Sequence, residues 1–184
     1  DLLVGGAGND ALDGGADQDF LDGQDDDDVL FGGSEADILL GGAGDDSLRG
    51  EDGDTPAADG NDALVGGGGD DDLQAGGGND RLEGGADDDN LRGGLGRDTL
   101  LGGDGDDDVY AEDGKDGADV VSGGPGSDYA SYYYRTQPLK LTLEGKANDG
   151  AKGEGDNLRG DLEHLEGGTK ADLIVGNGYH NTLR

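Results

Sequence analysis

The stretch GGLGRDTLLGGDGDDDVY, residues 93 to 110, holds two consecutive copies of a nine-residue pattern, GGxGxDxUx, in which U is an apolar residue. The pattern continues on both sides of this stretch, with thirteen copies in all between Gly5 and Ser131. Only two of the copies are longer than nine residues. A period kept this strictly is typical of solenoids, whose coils stack on one another. The copies begin at residues 5, 14, 23, 32, 41, 50, 66, 75, 84, 93, 102, 111 and 123.

Each copy divides into a turn of six residues and a strand of three. Glycines at positions 1, 2 and 4 allow the tight backbone angles of a turn, with carbonyl oxygens directed toward one point. The apolar residue at position 8 faces the interior, and positions 7 and 9 face outward, because side chains alternate along a strand. Two copies then form one 18-residue coil of a flattened right-handed helix, with a parallel sheet on each broad face. The sequence therefore predicts an all-β solenoid.

The aspartate at position 6 faces the point to which the turn carbonyls are directed. Carboxylate and carbonyl oxygens are the hard ligands that calcium takes, at six to eight per ion. The copy GGTKADLIV, residues 167 to 175, adds one further acid to the row. The predicted metal ligands are Asp10, Asp19, Asp28, Asp37, Asp46, Asp62, Asp71, Asp80, Asp89, Asp98, Asp107, Asp119, Asp128 and Asp172.

The composition points to a cationic partner. The chain has a formal charge of -33 and only 30% hydrophobic residues, which is close to the signature of disorder unless cations offset the repulsion. Nucleic acid is excluded as a general partner and anionic membranes are disfavoured, because both would be repelled. The chain has no cysteine, which excludes disulfides and thiolate metal sites. No apolar run approaches the roughly 18 residues that a membrane span needs.

In these repeats the chain resembles the repeats-in-toxin (RTX) family of haemolysin-type calcium-binding proteins, whose nonapeptide is a known calcium-binding repeat. The pattern covers residues 1 to 131 and returns in GGTKADLIV. The resemblance implies a parallel β-roll that holds each calcium ion between successive turns on one edge. It also implies a secreted bacterial protein, exported through a type I system and located at the cell surface or in the medium.

The spacing sets an upper limit on the number of ions. Thirteen turns alternate between two edges, which leaves gaps for about eleven calcium ions in the main block. That many divalent ions would remove about two thirds of the net charge. We expect a disordered or expanded chain without calcium and a rigid rod with it, because binding energy is folding energy in such a system. A cytosol low in calcium would leave the chain unfolded until export.

Several copies depart from the pattern. Gln24 replaces a glycine and Glu35 stands at position 4, so we expect the weakest sites near residues 23 to 36. Insertions lie near residues 51–60 and 111–119, within the copies Gly50 to Val65 and Ala111 to Ser122. An insertion of this kind normally bulges as a loop and leaves the register intact on either side. A dedicated binding loop is the alternative.

The chain divides into three segments: the repeat block 1–131, a degenerate capping or linking segment 132–166, and resumed repeats 167–184. Leu139, Leu141 and Leu143 alternate with polar residues and predict a strand. Leu158, Leu162 and Leu165 fit either a short helix or irregular coil turns. The tyrosines Tyr129, Tyr132, Tyr133 and Tyr134 pack against the last coil or form a recognition patch; we favour the first.

The outward positions also predict an asymmetry between the two sheets. One sheet carries an apolar strip, which is covered by the chain's own loop or tail, by a partner domain or by an identical molecule, or stays as a small exposed strip. The other sheet carries mostly polar residues, with Val29 and Phe31 as exceptions. The strip consists of Phe20, Ile38, Leu40, Ala63 and Val65.

Catalysis is not expected, because the two histidines, His164 and His180, have no metal-type spacing and no serine lies in a nucleophile-elbow context. We expect instead a calcium-dependent folding module that stabilises or spaces a larger extracellular protein, with covalently attached domains upstream or downstream. The alternative is a self-standing structural protein, such as an adhesin, matrix or filament element, with self-association through its coils.

Overall fold

The computed structural model describes residues 1–51, 60–110 and 117–184. These residues form an all-β solenoid of about nine coils with about 18 residues per coil, and they contain no helix. The long parts of the two predicted insertions lie outside the described residues. The predicted β-solenoid is confirmed.

One broad face of the solenoid is an eight-stranded parallel sheet. Its strands, in spatial order, are β1 (Leu2–Ala7), β3 (Phe20–Asp25), β5 (Ile38–Ala43), β7 (Ala63–Gly68), β9 (Arg81–Ala86), β11 (Thr99–Asp104), β13 (Val120–Ser122) and β17 (Asn157–Leu158).

The other broad face is a nine-stranded parallel sheet. Its strands, in spatial order, are β2 (Ala11–Ala16), β4 (Val29–Ser34), β6 (Ser47–Glu51), β8 (Asp72–Gly78), β10 (Asn90–Gly96), β12 (Asp108–Tyr110), β14 (Tyr129–Ser131), β18 (His164–Glu166) and β20 (Thr182–Leu183). Odd and even copies of the repeat thus alternate between the two sheets as far as β14.

The strand register matches position 8 of one coil with position 8 of the next. Leu12 pairs with Leu30, and Leu30 pairs with Leu48. The insertion between β6 and β7 does not disturb this register, because Leu39 still pairs with Leu64. The inserted residues therefore leave the stack of coils in phase.

A single column of apolar side chains fills the interior. The position 8 leucines from Leu21 to Leu91 are fully buried. The column then narrows through Val109 and Val121 to Ala130, and Tyr132 is buried in the space beside these small residues. The members of position 8 in the repeat block are Leu12, Leu21, Leu30, Leu39, Leu48, Leu64, Leu73, Leu82, Leu91, Leu100, Val109, Val121 and Ala130.

The predicted apolar strip lies on the outer face of the eight-stranded sheet. Phe20, Leu40, Ala63 and Val65 are half-buried there, and Ile38 is exposed. On the nine-stranded sheet the guanidinium of Arg49 lies over the Phe31 ring, 5.8 Å from its centroid. The predicted difference between the two outer faces is confirmed.

The solenoid sheets continue past residue 131. β17 pairs with β13, and β18 pairs with β14, so Leu158 and Leu165 enter the interior column as strand residues. A separate three-stranded sheet consists, in spatial order, of β16 (Gly150–Ala151), β15 (Leu139–Thr142) and β19 (Leu173–Val175). β15 has buried Leu139 and Leu141 and an exposed Lys140, which confirms the strand predicted there.

The tyrosines of the tail divide between packing and exposure. Tyr132 is fully buried, and the Tyr129 hydroxyl donates a hydrogen bond to Glu166. Tyr133 and Tyr134 are exposed and contact each other edge to face, with ring centroids 5.3 Å apart. The prediction that the tyrosine cluster packs on the last coil is therefore right for Tyr129 and Tyr132 and wrong for Tyr133 and Tyr134.

Candidate metal-binding turns

The position 6 aspartates form two rows, one along each edge of the solenoid. Turns that lead from the eight-stranded to the nine-stranded sheet form what we call the first edge, and the returning turns form the second edge. The first edge carries Asp10, Asp28, Asp46, Asp71, Asp89, Asp107 and Asp128; the second carries Asp19, Asp37, Asp62, Asp80, Asp98 and Asp119.

Each aspartate from Asp28 onward accepts a hydrogen bond from a backbone N–H of the coil before it on the same edge. The backbone N–H of Asp71 donates to Oδ1 of Asp89 at 2.9 Å, and the N–H of Asp89 donates to Oδ1 of Asp107 at 3.0 Å. The second edge repeats the arrangement, with the N–H of Asp80 donating to Oδ1 of Asp98 at 2.9 Å. One carboxylate oxygen of each of these aspartates thus accepts a backbone hydrogen bond, which fixes the side-chain orientation.

The second carboxylate oxygen is buried without a hydrogen-bond donor. This holds for nine members of the two rows within the described residues, and none of the nine is more than 5% exposed. A buried charged oxygen without a partner is costly unless a cation compensates it. The nine are Asp19, Asp28, Asp37, Asp46, Asp71, Asp89, Asp98, Asp107 and Asp128.

In most turns the glycine at position 1 lies against this oxygen and against a carbonyl of the next coil. At Gly14, a methyl group would lie 2.6 Å from Oδ2 of Asp19 and 2.6 Å from the carbonyl oxygen of Gly32. Two acceptor oxygens therefore approach the same glycine with no side chain between them. A carboxylate and a carbonyl of successive coils are brought together, as a calcium site requires.

Side chains alone do not complete a metal site here. Within residues 1–51, 60–110 and 117–184, no three carboxylate or imidazole side chains converge on one point. A cation in these turns would take the rest of its six to eight ligands from backbone carbonyls and water. The donor set of carboxylates and turn carbonyls fits calcium and does not fit the softer metals that prefer nitrogen or sulfur.

The sequence comparison agrees with this chemistry. A sequence model described as "RTX calcium-binding nonapeptide repeat (4 copies)" matches residues 1–30, 31–54, 57–91, 83–117 and 113–130, most of the chain. The chain belongs to the RTX calcium-binding nonapeptide repeat family. A comparison with curated proteins returned no match.

Membership of the RTX family gives the chain a coarse function. The family is a structural calcium-binding repeat module and is typical of secreted bacterial proteins. Its β-roll is the fold seen here. In the described part of the chain, no helix has the length and apolar character needed to cross a membrane.

Two ligand-like acids of the RTX coils were missed in the sequence. The N–H of Asp119 donates to Oδ1 of Asp156 at 3.2 Å, and the N–H of Asp128 donates to Oε2 of Glu163 at 3.1 Å. Asp156 and Glu163 thus take the position 6 role on the coil of β17 and β18. The signal was an acid two residues before a buried leucine, here Leu158 and Leu165, without glycine at positions 1, 2 and 4 of the repeat.

The repeat copy at residues 167–175 predicted Asp172 as a calcium ligand. Asp172 lies outside the two rows of position 6 aspartates, because its carboxylate contacts the three-stranded sheet. Its Oδ1 accepts a hydrogen bond from the N–H of Leu139 at 2.8 Å, and Leu139 belongs to the three-stranded sheet. Its side chain is only half-buried. The final copy carries Asn181, whose Oδ1 accepts a hydrogen bond from the N–H of Asn177 at 2.9 Å within the same turn.

The departures from the RTX consensus keep the geometry of their turns. Gln24, Asp26 and Glu35 adopt φ angles of 84°, 75° and 75°, in the left-handed region that non-glycine residues enter at some cost. Asp28 and Asp37, which follow them, are as buried as the other members of the rows. The strength of the sites near residues 23 to 36 stays a prediction.

Burial raises the pKa of seven position 6 aspartates in the RTX coils. It is the main cause of a pKa of about 7 at Asp71, Asp89 and Asp128 and about 6 at Asp46, and neighbouring carboxylates add to the rise. The hydrogen bond from the neighbouring backbone N–H acts in the opposite direction and is too weak to cancel it. Without a cation, the folded RTX coils therefore favour protonated carboxyl groups.

This gives a pH prediction for the calcium-free chain. An unfolded aspartate has a pKa of about 3.9, so between about pH 4 and pH 7 the folded state binds more protons than the unfolded state. Stability then falls as the pH rises through that range. We expect the chelated chain to gain β-sheet signal in far-ultraviolet circular dichroism when the pH is lowered from 8 to 5.5. A chelated chain equally unfolded at both pH values would contradict the raised pKa values.

Proposed function

We propose that the position 6 aspartates bind calcium and that the chain folds when calcium is bound, after secretion. The observation that carries the proposal is the row of buried carboxylate oxygens without a donor, seven of which share a position 1 glycine with a glycine carbonyl of the next coil. Calcium supplies the positive charge that these oxygens need when it is bound. The residues of the chain supply the oriented carboxylates, the glycine turns and an interior column that stacks the coils.

The proposed ligand set is that of the sequence prediction, with the carbonyls of the adjoining turns. Main-block turns offer about eleven gaps, and filling them would offset about two thirds of the formal charge of -33. Asp10 opens the first-edge row, and its N–H donates to Oδ1 of Asp28 at 2.7 Å. Ions in the gaps would therefore bridge coils that already share hydrogen bonds.

The proposed setting is extracellular. Extracellular calcium modules bind with dissociation constants near 10⁻⁴ to 10⁻³ M, and cytosolic calcium lies far below that range. The chain would then stay unfolded during export through a type I system and fold outside. Once rigid, it would stabilise or space the rest of a larger extracellular protein.

We also propose that residues 132–166 act as a cap and that the resumed repeats 167–184 follow it. The hydroxyl of Tyr132 donates to Oδ2 of Asp156 at 3.1 Å, and Arg135 forms an ion pair with Glu154 at 2.6 Å. Both the arginine and the glutamate are more than 90% buried. The Tyr132 hydroxyl donates to the Asp156 oxygen that corresponds to the donor-less oxygen of the main-block aspartates. The cap would therefore need no calcium at this turn.

An isosteric substitution tests the calcium role of the buried row. Asparagine at position 71 keeps the acceptor oxygen for the N–H of Asp46, a hydrogen bond of 2.8 Å, and removes the charge. We expect Asp71→Asn to raise the calcium concentration at the folding midpoint by about threefold or more and to lower the number of bound ions. Calcium titrations followed by circular dichroism and calorimetry measure both quantities.

Asp72→Asn is the matched control. Asp72 is adjacent in sequence and its substitution makes the same change in charge, but its side chain is exposed on the outer face of β8. We expect little change in the midpoint or in the number of ions. Equal effects of the two substitutions would show that net charge matters and that the buried row does not bind calcium.

A further inference from the structure

The two edges of the solenoid differ at position 5, immediately before the buried aspartate. On the first edge, position 5 is an exposed aspartate in five consecutive turns: Asp27, Asp45, Asp70, Asp88 and Asp106. On the second edge, the described position 5 residues carry no acid: they are Gln18, Ala36, Asn61, Asn79, Arg97 and Ala118.

The position 5 side chains point along the solenoid in the opposite direction to the buried row. Oδ1 of Asp70 accepts the N–H of Asp88 in the following coil at 3.1 Å. Oδ1 of Asp89, by contrast, accepts the N–H of Asp71 in the preceding coil at 2.9 Å. Asp70 and Asp89 therefore enter the same gap between two coils from opposite sides, and the gap contains two carboxylates.

Five gaps of the first edge have this pair of carboxylates. Each combines a position 5 acid of one coil with a buried position 6 acid of the next, and the buried acid has an oxygen without a donor. The hydrogen bonds that orient the exposed acids are 2.8 to 3.1 Å long. The pairs are Asp27 with Asp46, Asp45 with Asp71, Asp70 with Asp89, Asp88 with Asp107, and Asp106 with Asp128.

The second edge keeps the same geometry with neutral side chains. Oδ1 of Asn61 accepts the N–H of Asn79 at 2.7 Å, and Oδ1 of Asn79 accepts the N–H of Arg97 at 3.2 Å. The gaps that contain Asp80 and Asp98 thus have one carboxylate and one amide. Asparagine is nearly isosteric with aspartate, so the two edges differ here mainly in charge.

Position 4 does not compensate for this difference. Among the described residues it adds two acids to each edge: Asp26 and Asp87 on the first, Asp17 and Glu35 on the second. Arg97 adds a positive charge to the second edge beside Asp98. Among the described turn residues, position 5 is therefore the largest source of the asymmetry in charge between the edges, with five acids on the first edge and none on the second.

The geometry points to sequential loading of the two edges. We infer that calcium fills the first edge at a free concentration about tenfold lower than the second, because calcium affinity rises with the number of charged ligands in the gap. This inference rests on the proposed calcium binding. Its consequence is a folding process in which the turns of the first edge are fixed first, and those of the second edge only at higher calcium.

Counting bound ions at each free calcium concentration tests the inference. Competition with a chromophoric chelator should resolve two classes of site that differ about tenfold in affinity. The double variant Asp70→Asn/Asp88→Asn should move about two ions from the tight to the weak class, and Asn61→Asp/Asn79→Asp should move about two ions the other way. Asparagine at these positions is accepted by the same fold, as the second edge shows.

A matched control removes the effect of net charge. Asp13→Asn/Asp72→Asn changes two exposed aspartates on the outer face of the nine-stranded sheet and should leave both classes unchanged. One uniform class of sites, or equal shifts in the control and in Asp70→Asn/Asp88→Asn, would overturn the sequential loading. Absence of calcium binding in the unmodified chain would overturn the proposed function itself. If Asn61→Asp/Asn79→Asp does not fold, the Asp70→Asn/Asp88→Asn variant decides.

Discussion

Removing calcium with a chelator at pH 7.5 will convert the chain from a rigid rod into an expanded chain with almost no β-sheet. The buried carboxylate oxygens then lose their counter-charge, and a formal charge of -33 acts on 184 residues whose interior is one column of side chains. Binding energy is folding energy in such a protein, so the loss should be close to complete once both edges have lost their ions. Far-ultraviolet circular dichroism and small-angle X-ray scattering measure it.

Magnesium is the control ion for this experiment. It has the same charge as calcium but demands near-ideal octahedral geometry and gives up its water reluctantly. We expect calcium to restore the β-sheet signal after chelation and magnesium at the same concentration to restore little of it. A chain that keeps its β-sheet in chelator at pH 7.5, or that folds equally well with magnesium, contradicts the calcium dependence.

The second large effect comes from the interior column. Leu39 is fully buried on β5, and its strand partners at position 8 are Leu21 and Leu64. Leu39→Asn removes apolar contacts and buries an amide without partners, which together cost about 5 kcal/mol. We expect this variant to stay unfolded at calcium concentrations that fold the unmodified chain.

The adjacent residue provides the control for the strand register. Leu40 lies on the outer face of the same strand and is half-buried. Leu40→Asn makes the same chemical change at the next position and should cost about 1 kcal/mol or less. Because a one-residue shift exchanges the two faces of a strand, comparable losses in both variants would show that the assigned inward and outward faces are wrong.

Most of the fold follows from the repeat, because each copy specifies its own turn, strand and interior residue. The insertion before Gly60 did not obscure this, since Asp62 and Leu64 mark the same positions as in the other copies. Alternation of outward residues also predicted which sheet carries the apolar strip. Local spacing was sufficient, because every coil contacts mainly its neighbours.

The tail was less predictable because its coils lack the glycine signal. Asp156 and Glu163 take the role of position 6 acids through contacts with Asp119 and Asp128, which lie more than 30 residues away in the sequence. The interior position of Tyr132 depends on the small size of Ala130, which no repeat consensus specifies. Such features arise from packing between distant segments.

The central claim concerns the buried oxygens, and anomalous X-ray diffraction from crystals grown with calcium tests it most directly. The account predicts calcium peaks 2.3 to 2.6 Å from the position 6 carboxylate oxygens of both edges, with the coils stacked as described. An intact solenoid whose Asp71, Asp89 and Asp107 oxygens face no calcium would contradict it.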